Sequence, residues 1–223
     1  MMDFGLAFSF PFKDQEWFKK LIIPGLVSLI PIVGQFFLIG YGLNVAKRVI
    51  EKNPESLPEL DFGGDLKRGF MSFVIGLGYG LPIILVSLLM SIILVAVGGF
   101  SADSSSSNTT MTIVLVLQSC FGIIAFIYGL AMAFFTAAAL GNYLAKGEQL
   151  AAAFRFKEIW GFLKNAVVPY LLVLVGGFLG NLIGSLGAII CVVGLLITMP
   201  YGMAVYGHFI GQAYNEANAI NEA

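Results

Sequence analysis

All 12 Lys and Arg residues of this 223-residue chain lie in two windows, 13–68 and 146–164, and long apolar runs fill most of the rest. Basic side chains resist crossing a bilayer and collect on the cytoplasmic side of multi-pass membrane proteins, so both windows are expected to share one compartment. A hydrophobic fraction of 58% against 11% charged residues leaves a water-soluble fold nowhere to place its apolar surface. The formal net charge of −1 averages a basic inner side with acidic loops and gives no support to nucleic-acid binding. Met1-Met2-Asp3-Phe4 lacks the basic region of a signal peptide, which predicts a retained, cytoplasmic N-terminus.

The charge map sets the expected topology. Gly69–Gly98 and Met111–Leu144 each exceed the roughly 20 apolar residues needed to cross a bilayer and read as an antiparallel pair (spans 69–98 and 111–144). Between them, Ser101–Thr110 is polar without a basic residue, as an outer loop should be, and Asn108-Thr109-Thr110 matches the glycosylation pattern by chance. No Lys or Arg follows Lys164, so the remaining apolar sequence is expected to form a hairpin, 160–214, turning near Gly184–Gly187 and returning the C-terminus inside. A single helix over Leu21–Ala46 would separate Lys19 and Lys20 from Lys47 and Arg48, whereas a hairpin over 17–52, broken at Pro31–Gly34, keeps them together. Its first arm, Trp17–Ile30, would then be only about 21 Å long and is read as short or re-entrant. A weak repeat, Phe10 to Lys13 with Trp17, Lys20 and Pro24 against Phe154 to Lys157 with Trp160, Lys164 and Pro169, is compatible with two hairpins; aromatics and lysines at any interfacial helix would produce the same match.

Small residues predict how the helices pack. Ala125, Gly129, Ala133, Ala137 and Gly141 recur every four residues, and Gly176, Gly180 and Gly184 form a second seam. Apolar burial gives little drive between helices in lipid, so close backbone approach along such seams is expected to hold the bundle. Cys120 and Cys191, each within an apolar run and without a ligand-type spacing, read as packing residues.

Candidate sites are few. Gly78-Tyr79-Gly80-Leu81-Pro82 and Pro200-Tyr201-Gly202 place prolines within apolar runs, and helix breaks there could expose backbone groups to a cavity formed by Tyr79, Pro82, Pro200, Tyr201 and His208. The Gly-Tyr-Gly triplets at 40–42 and 78–80 lack the Thr-Val that precedes a potassium-channel filter. No charge lies at mid-depth outside the first hairpin, which argues against a proton pump and leaves neutral groups: Gln35, Asn44, Gln118, Asn142 and Asn181. No cluster of His, Cys and carboxylates has metal-ligand spacing, and no paired acid and base point to catalysis. Ser56-Leu57-Pro58-Glu59 reads as a capping box opening a short helix in an acidic inner loop. Residues 149–164 read as an amphipathic helix on the inner face. Lys47, Arg48, Lys67, Arg68, Arg155 and Lys157 could hold anionic headgroups.

Several elements together resemble an uncharacterised prokaryotic membrane family, domain of unknown function 4013: Trp17 and Lys20 with a Pro-broken hairpin, Gly40-Tyr41 before Lys47-Arg48, Leu57-Pro58-Glu59, Phe154–Trp160, and Tyr206-Gly207-His208 with Gln212-Ala213-Tyr214. The similarity covers most of the chain outside the serine-rich loop. It implies a protein of a bacterial or archaeal cell membrane and transfers no activity and no site residue.

The expected fold is an all-α polytopic bundle of about six membrane helices forming one domain, 1–223, with both termini cytoplasmic. The expected function is non-enzymatic, without cofactor or metal: a scaffold or accessory subunit binding lipid, a partner protein or a second copy. The alternative is a small transporter or channel near the Pro82 and Pro200 breaks.

Overall fold

The computed structural model describes residues 2–53, 57–100 and 107–222, and every regular element among them is helical. Among the described residues there are eight α-helices: α1 (Phe4–Lys13), α2 (Trp17–Ser28), α3 (Val33–Ile50), α4 (Phe62–Phe100), α5 (Ser107–Ala145), α6 (Phe156–Asn165), α7 (Val167–Leu186) and α8 (Cys191–Glu222). Short 3-10 helices cover Leu150–Phe154 and Gly187–Ile190. The all-α expectation holds. Among the described residues four helices, α4, α5, α7 and α8, contain segments long and apolar enough to cross a membrane. The first apolar stretch supplies none of the four. Its arm α2 has 12 residues, about 18 Å of helix, while Gln35, Asn44, Lys47 and Arg48 dilute the apolar character of α3.

The chain divides into two compact units, residues 1–76 with 134–223, and residues 77–133. In the first, α8 is the element the others pack around: α1, α2, α3, α6 and α7 all contact it. Helix α3 runs alongside with the same polarity, Gly42 meeting Gly207 and Val49 meeting Gly211, whereas α7 runs antiparallel, Gly180 facing Gly202 and Gly187 facing Gly194. Helix α1 is also antiparallel to α8. The Asp3 N–H donates to Gln212 Oε1 (2.6 Å) at one end, and the Tyr201 hydroxyl donates to the Phe8 carbonyl (2.8 Å) toward the other.

The α2–α3 connection occupies residues 29–32. The Val33 N–H donates to the Pro31 carbonyl at 2.7 Å, a γ-turn that holds the β-branched Ile32 at φ 66°. Beyond α3 the chain crosses in an extended segment. Leu57 is buried in a cluster with Phe10, Leu21, Tyr41, Val45 and Ala204. The Lys20 ammonium, 3.0 Å from both Asp14 and Glu59, fastens the same segment. The expected short helix at 56–59 is therefore corrected: Ser56 lies outside the described residues, and Leu57–Leu60 are not helical because Leu57 is drawn into the core. The helix start lies further on, where Asp61 Oδ1 accepts the Gly64 N–H (3.0 Å) ahead of α4.

The Gly-Tyr-Gly triplet at 40–42 has a packing role. Tyr41 is fully buried, a Cβ on Gly40 would collide with the Asp65 carbonyl on α4, and one on Gly42 would press on the Met203 carbonyl on α8. Two residues apart on a helix are about 200° apart, so α3 is approached by bare backbone from nearly opposite sides. On the α4 side Gly69 repeats the arrangement against the Phe36 carbonyl.

Helix α5 ends in a Schellman motif, with the Glu148 N–H donating to the Tyr143 carbonyl (2.9 Å) and Gly147 at φ 72°. Helix α6 buries Ile159, Phe162 and Leu163, while Phe156 and Trp160 stay exposed, Trp160 stacking on Phe135 at 5.8 Å. The expected amphipathic helix thus starts at Phe156, preceded by the 3-10 helix. The repeated residues do not take matching places: Phe10–Lys13 closes α1, whereas Phe156 and Lys157 open α6.

The second unit comprises the adjoining stretches of α4 and α5. The Tyr128 hydroxyl donates to the Tyr79 carbonyl at 2.7 Å, and Ser87 and Ser119 return their hydroxyls to carbonyls four residues back. Most of its large apolar side chains are exposed, among them Leu85, Leu89, Ile92, Leu115, Phe126 and Ile127. Cys120 is exposed as well and does not pack inside the chain as expected, and nothing is described of the Cys191 side chain. Of the polar outer run, 101–106 lies outside the described residues, while Ser107–Thr110 already belong to α5, so the helix begins earlier than its polar sequence predicts.

Candidate functional site

Helices α3, α7 and α8 enclose a half-open groove of about 490 Å³. Glycines make it possible. Gly177, Gly180 and Gly184 of α7 share one face by their spacing of three and four, and Gly202 of α8 lies opposite, where a Cβ on Gly180 would stand 2.8 Å from the Gly202 carbonyl. The absence of side chains on both surfaces leaves a trench walled by Leu38, Leu174, Met199 and Met203.

Four polar side chains line this trench: Gln35 of α3, Asn181 and Ser185 of α7, and Tyr206 of α8. Ser185 donates to the Leu182 carbonyl (2.7 Å), whereas Gln35, Asn181 and Tyr206 make no hydrogen bond with another described residue. Among the described residues no Asp, Glu, Lys, Arg or His contributes to the lining. The groove is a neutral, hydrogen-bonding surface set among apolar side chains.

The five residues expected to form a cavity are divided between the two units. Tyr79 and Pro82 belong to the 77–133 unit, and Pro200, Tyr201 and His208 to the other. Helices α4 and α8 run unbroken through both prolines. Tyr201 holds α1 through its hydroxyl and lies 5.5 Å from the Phe12 ring. His208 is fully buried, its ring 4.5 Å from that of Phe10. Gln212 Oε1 accepts the Asp3 N–H, so its Nε2 is the donor to the Asp3 carbonyl (3.0 Å) and to His208 Nδ1 (2.8 Å). This network assigns the His208 tautomer with the proton on Nε2. Both residues therefore serve the α1–α8 seam. The groove uses the opposite face of the same stretch of α8, Met199, Gly202, Met203 and Tyr206, about half a turn away.

The two predicted seams also differ. Gly176, Gly180 and Gly184 are all buried against α8, Gly176 beneath the Phe209 ring. In the other, Ala137 and Gly141 are buried, Gly141 under Tyr214, while Ala125 and Ala133 are half-buried and Gly129 faces open space.

At the basic ends of α3, α4 and α5 a second polar cluster is built on Glu148. Its position at φ 61°, just past the α5 cap, lets one carboxylate oxygen accept from both Lys47 Nζ (3.0 Å) and Arg68 Nε (2.8 Å). Arg68 also pairs with the fully buried Asp65 (2.8 Å), whose same oxygen accepts from Asn44 Nδ2 (2.9 Å). Burial pushes the Glu148 carboxyl up, but its hydrogen bonds from Arg68 and Lys47 outweigh this and hold it below the ordinary glutamate value. Of the six basic residues expected at headgroups, Lys47 and Arg68 are thus engaged within the chain, while Lys67, Arg155 and Lys157 are exposed. Arg48 is half-exposed. Among the described residues no group of His, Cys, Asp and Glu could hold a metal ion.

Sequence reasoning singled out Gln35 and Asn181 as polar groups in apolar surroundings but did not bring them together, and it missed Tyr206 and Ser185 as lining residues. The available signal was the face of α7 on which Gly177, Gly180, Asn181, Gly184 and Ser185 recur.

No curated protein and no solved structure matches the chain. The model of a family described as a protein of unknown function, DUF4013, matches residues 23–209, a stretch that contains α3, α7 and the groove-lining residues of α8, and the chain belongs to that family.

Proposed function

We propose that this is an integral protein of a prokaryotic cell membrane, with both termini cytoplasmic, and that it acts by binding rather than by catalysis: a scaffold or accessory subunit that holds a lipid in the α3–α7–α8 groove. The observation that carries this reading is the groove itself, mainly apolar with four polar side chains in its lining, open on one side and floored by glycine. Asn181 lies five residues inside the end of α7, about 8 Å along a helix of roughly 30 Å, so the groove is reached sideways from the hydrocarbon. Exposed Lys67, Arg155 and Lys157, the last two close to Trp160 in sequence, suit anionic headgroups at the basic surface. A pathway at Pro82 and Pro200 finds less support, because both helices are continuous there and Tyr201 is committed to α1.

The test is purification in mild detergent followed by mass spectrometry of what stays bound, for the native chain and for Met199→Trp, which places a larger side chain in the groove. Retained lipid that is lost in the filled variant supports the reading. A native protein that carries no lipid, or a filled variant that carries the same amount, removes it.

A further inference from the structure

We infer that the lipid held in the groove is an uncharged one, bearing carbonyl or hydroxyl groups that Gln35, Asn181 and Tyr206 hydrogen-bond; this rests on the lipid-binding reading above. The three side chains have no partner among the described residues and face a space of about 490 Å³ in an apolar segment of the chain. An amide or phenol left unpaired in hydrocarbon is costly, since no water replaces the missing bond. An acyl chain alone would leave all three unsatisfied. A lipid with acceptors and donors along its polar end would satisfy them: the carboxamides give N–H groups to carbonyl oxygens and accept from hydroxyls, and the phenol does either.

Charge is excluded by the lining and by depth. No cationic side chain is present to neutralise a phosphate and no carboxylate to meet an amine. The Tyr206 ring packs on Gly177, nine residues from the Leu186 end of α7, about 14 Å along the helix and deeper than Asn181. A charged headgroup cannot follow its carbonyls to that depth without losing its hydration, whereas a neutral head can leave the interface altogether. Ordinary anionic phospholipids are thereby selected against, and neutral lipids such as diacylglycerols or isoprenoid quinones fit.

The experiment measures binding of dioctanoylglycerol, decylubiquinone and dioctanoyl-phosphatidylglycerol to the purified full chain, by thermal shift and by displacement of retained lipid. At least one neutral probe is expected to bind about tenfold or more tighter than the anionic one. Asn181→Leu and Tyr206→Phe are each expected to weaken it by about three- to tenfold, the worth of one hydrogen bond. Their melting temperatures should be unchanged or higher without ligand, which separates lost binding from lost folding. Equal or tighter binding of the anionic probe overturns the inference and leaves lipid binding standing. Neutral-probe binding that ignores both substitutions also overturns it. If no probe binds and no lipid is retained, both readings fail. Cross-linking of two copies through Asn181→Cys, with no lipid bound, would assign the groove to a second chain and overturn the inference.

Discussion

Gly25 of α2 lies directly against the main-chain carbonyl of Leu196 on α8, the carbonyl that Pro200, four residues on, deprives of its helical N–H donor. Proline removes one hydrogen bond from the helix, and the glycine brings a Cα–H to the acceptor left over. Pro200 is thus a packing feature between α2 and α8, which accounts for its burial without any cavity.

Gly25→Ala is expected to lower stability by about 1–3 kcal/mol, because its Cβ would collide with backbone that cannot swing aside. Gly129→Ala is the control: its Cβ would meet nothing within 4 Å, and the change should raise stability by about 0.5–1 kcal/mol through helix propensity. Thermal melts of the two variants beside the native chain in one detergent check the contrast. Equal losses would show that the seam through Gly129 is a helix contact after all.

Glu148→Gln is expected to cost about 1–2 kcal/mol at neutral pH, since it weakens two charge-assisted hydrogen bonds at a site that retains some solvent exposure. The Glu148 carboxyl titrates below its ordinary 4.5 in the folded chain. Its contribution is therefore complete above that value and disappears as the pH falls through the folded-state value. Stability measured from pH 7 downward should show the native chain converging on the glutamine variant in acid. A constant gap would place the ionic contact elsewhere.

Lys52 occupies the C′ position beyond α3 at φ 63°, where the Asn53 N–H donates to the Arg48 carbonyl (2.8 Å). Glycine is the residue that adopts this backbone without strain. Lys52→Gly should stabilise the chain by roughly 1 kcal/mol, readable as a higher melting temperature, whereas Lys52→Ala should not.

Tyr170 is fully buried on α7, and its hydroxyl has no hydrogen-bond partner among the described residues. Removing an unsatisfied buried hydroxyl relieves a desolvation cost, so Tyr170→Phe is expected to be neutral or stabilising by about 1 kcal/mol. A loss of more than about 1 kcal/mol would reveal a partner for the phenol, such as an internal water.

The all-α class followed from apolar runs that exceed the length of any strand, and the family from short motifs spread over most of the chain. The break near Pro31 followed from the need to keep lysines on one side. What could not be read was which way each helix faces. Pro200, Tyr201 and His208 drew attention to the stretch of α8 that borders the groove, but a sequence does not say that Tyr201 meets α1 while Tyr206 lines the groove on the other face. Glycine spacing had the same limit. Gly129 and Gly180 have equivalent four-residue patterns, yet only Gly180 finds a neighbouring backbone, because the partner surface is set by distant sequence. Gly40 and Gly42 make no four-residue pattern at all, and their importance comes from lying on opposite sides of one helix.

Two bare-backbone contacts so disposed also limit how α3 can move. Rotation would replace bare backbone at these contacts with side chains, and sliding would carry both glycines out of register at once. One wall of the groove is thereby held in place, so the proposed lipid would have to adapt its own conformation to a fixed slot rather than prise α3 aside.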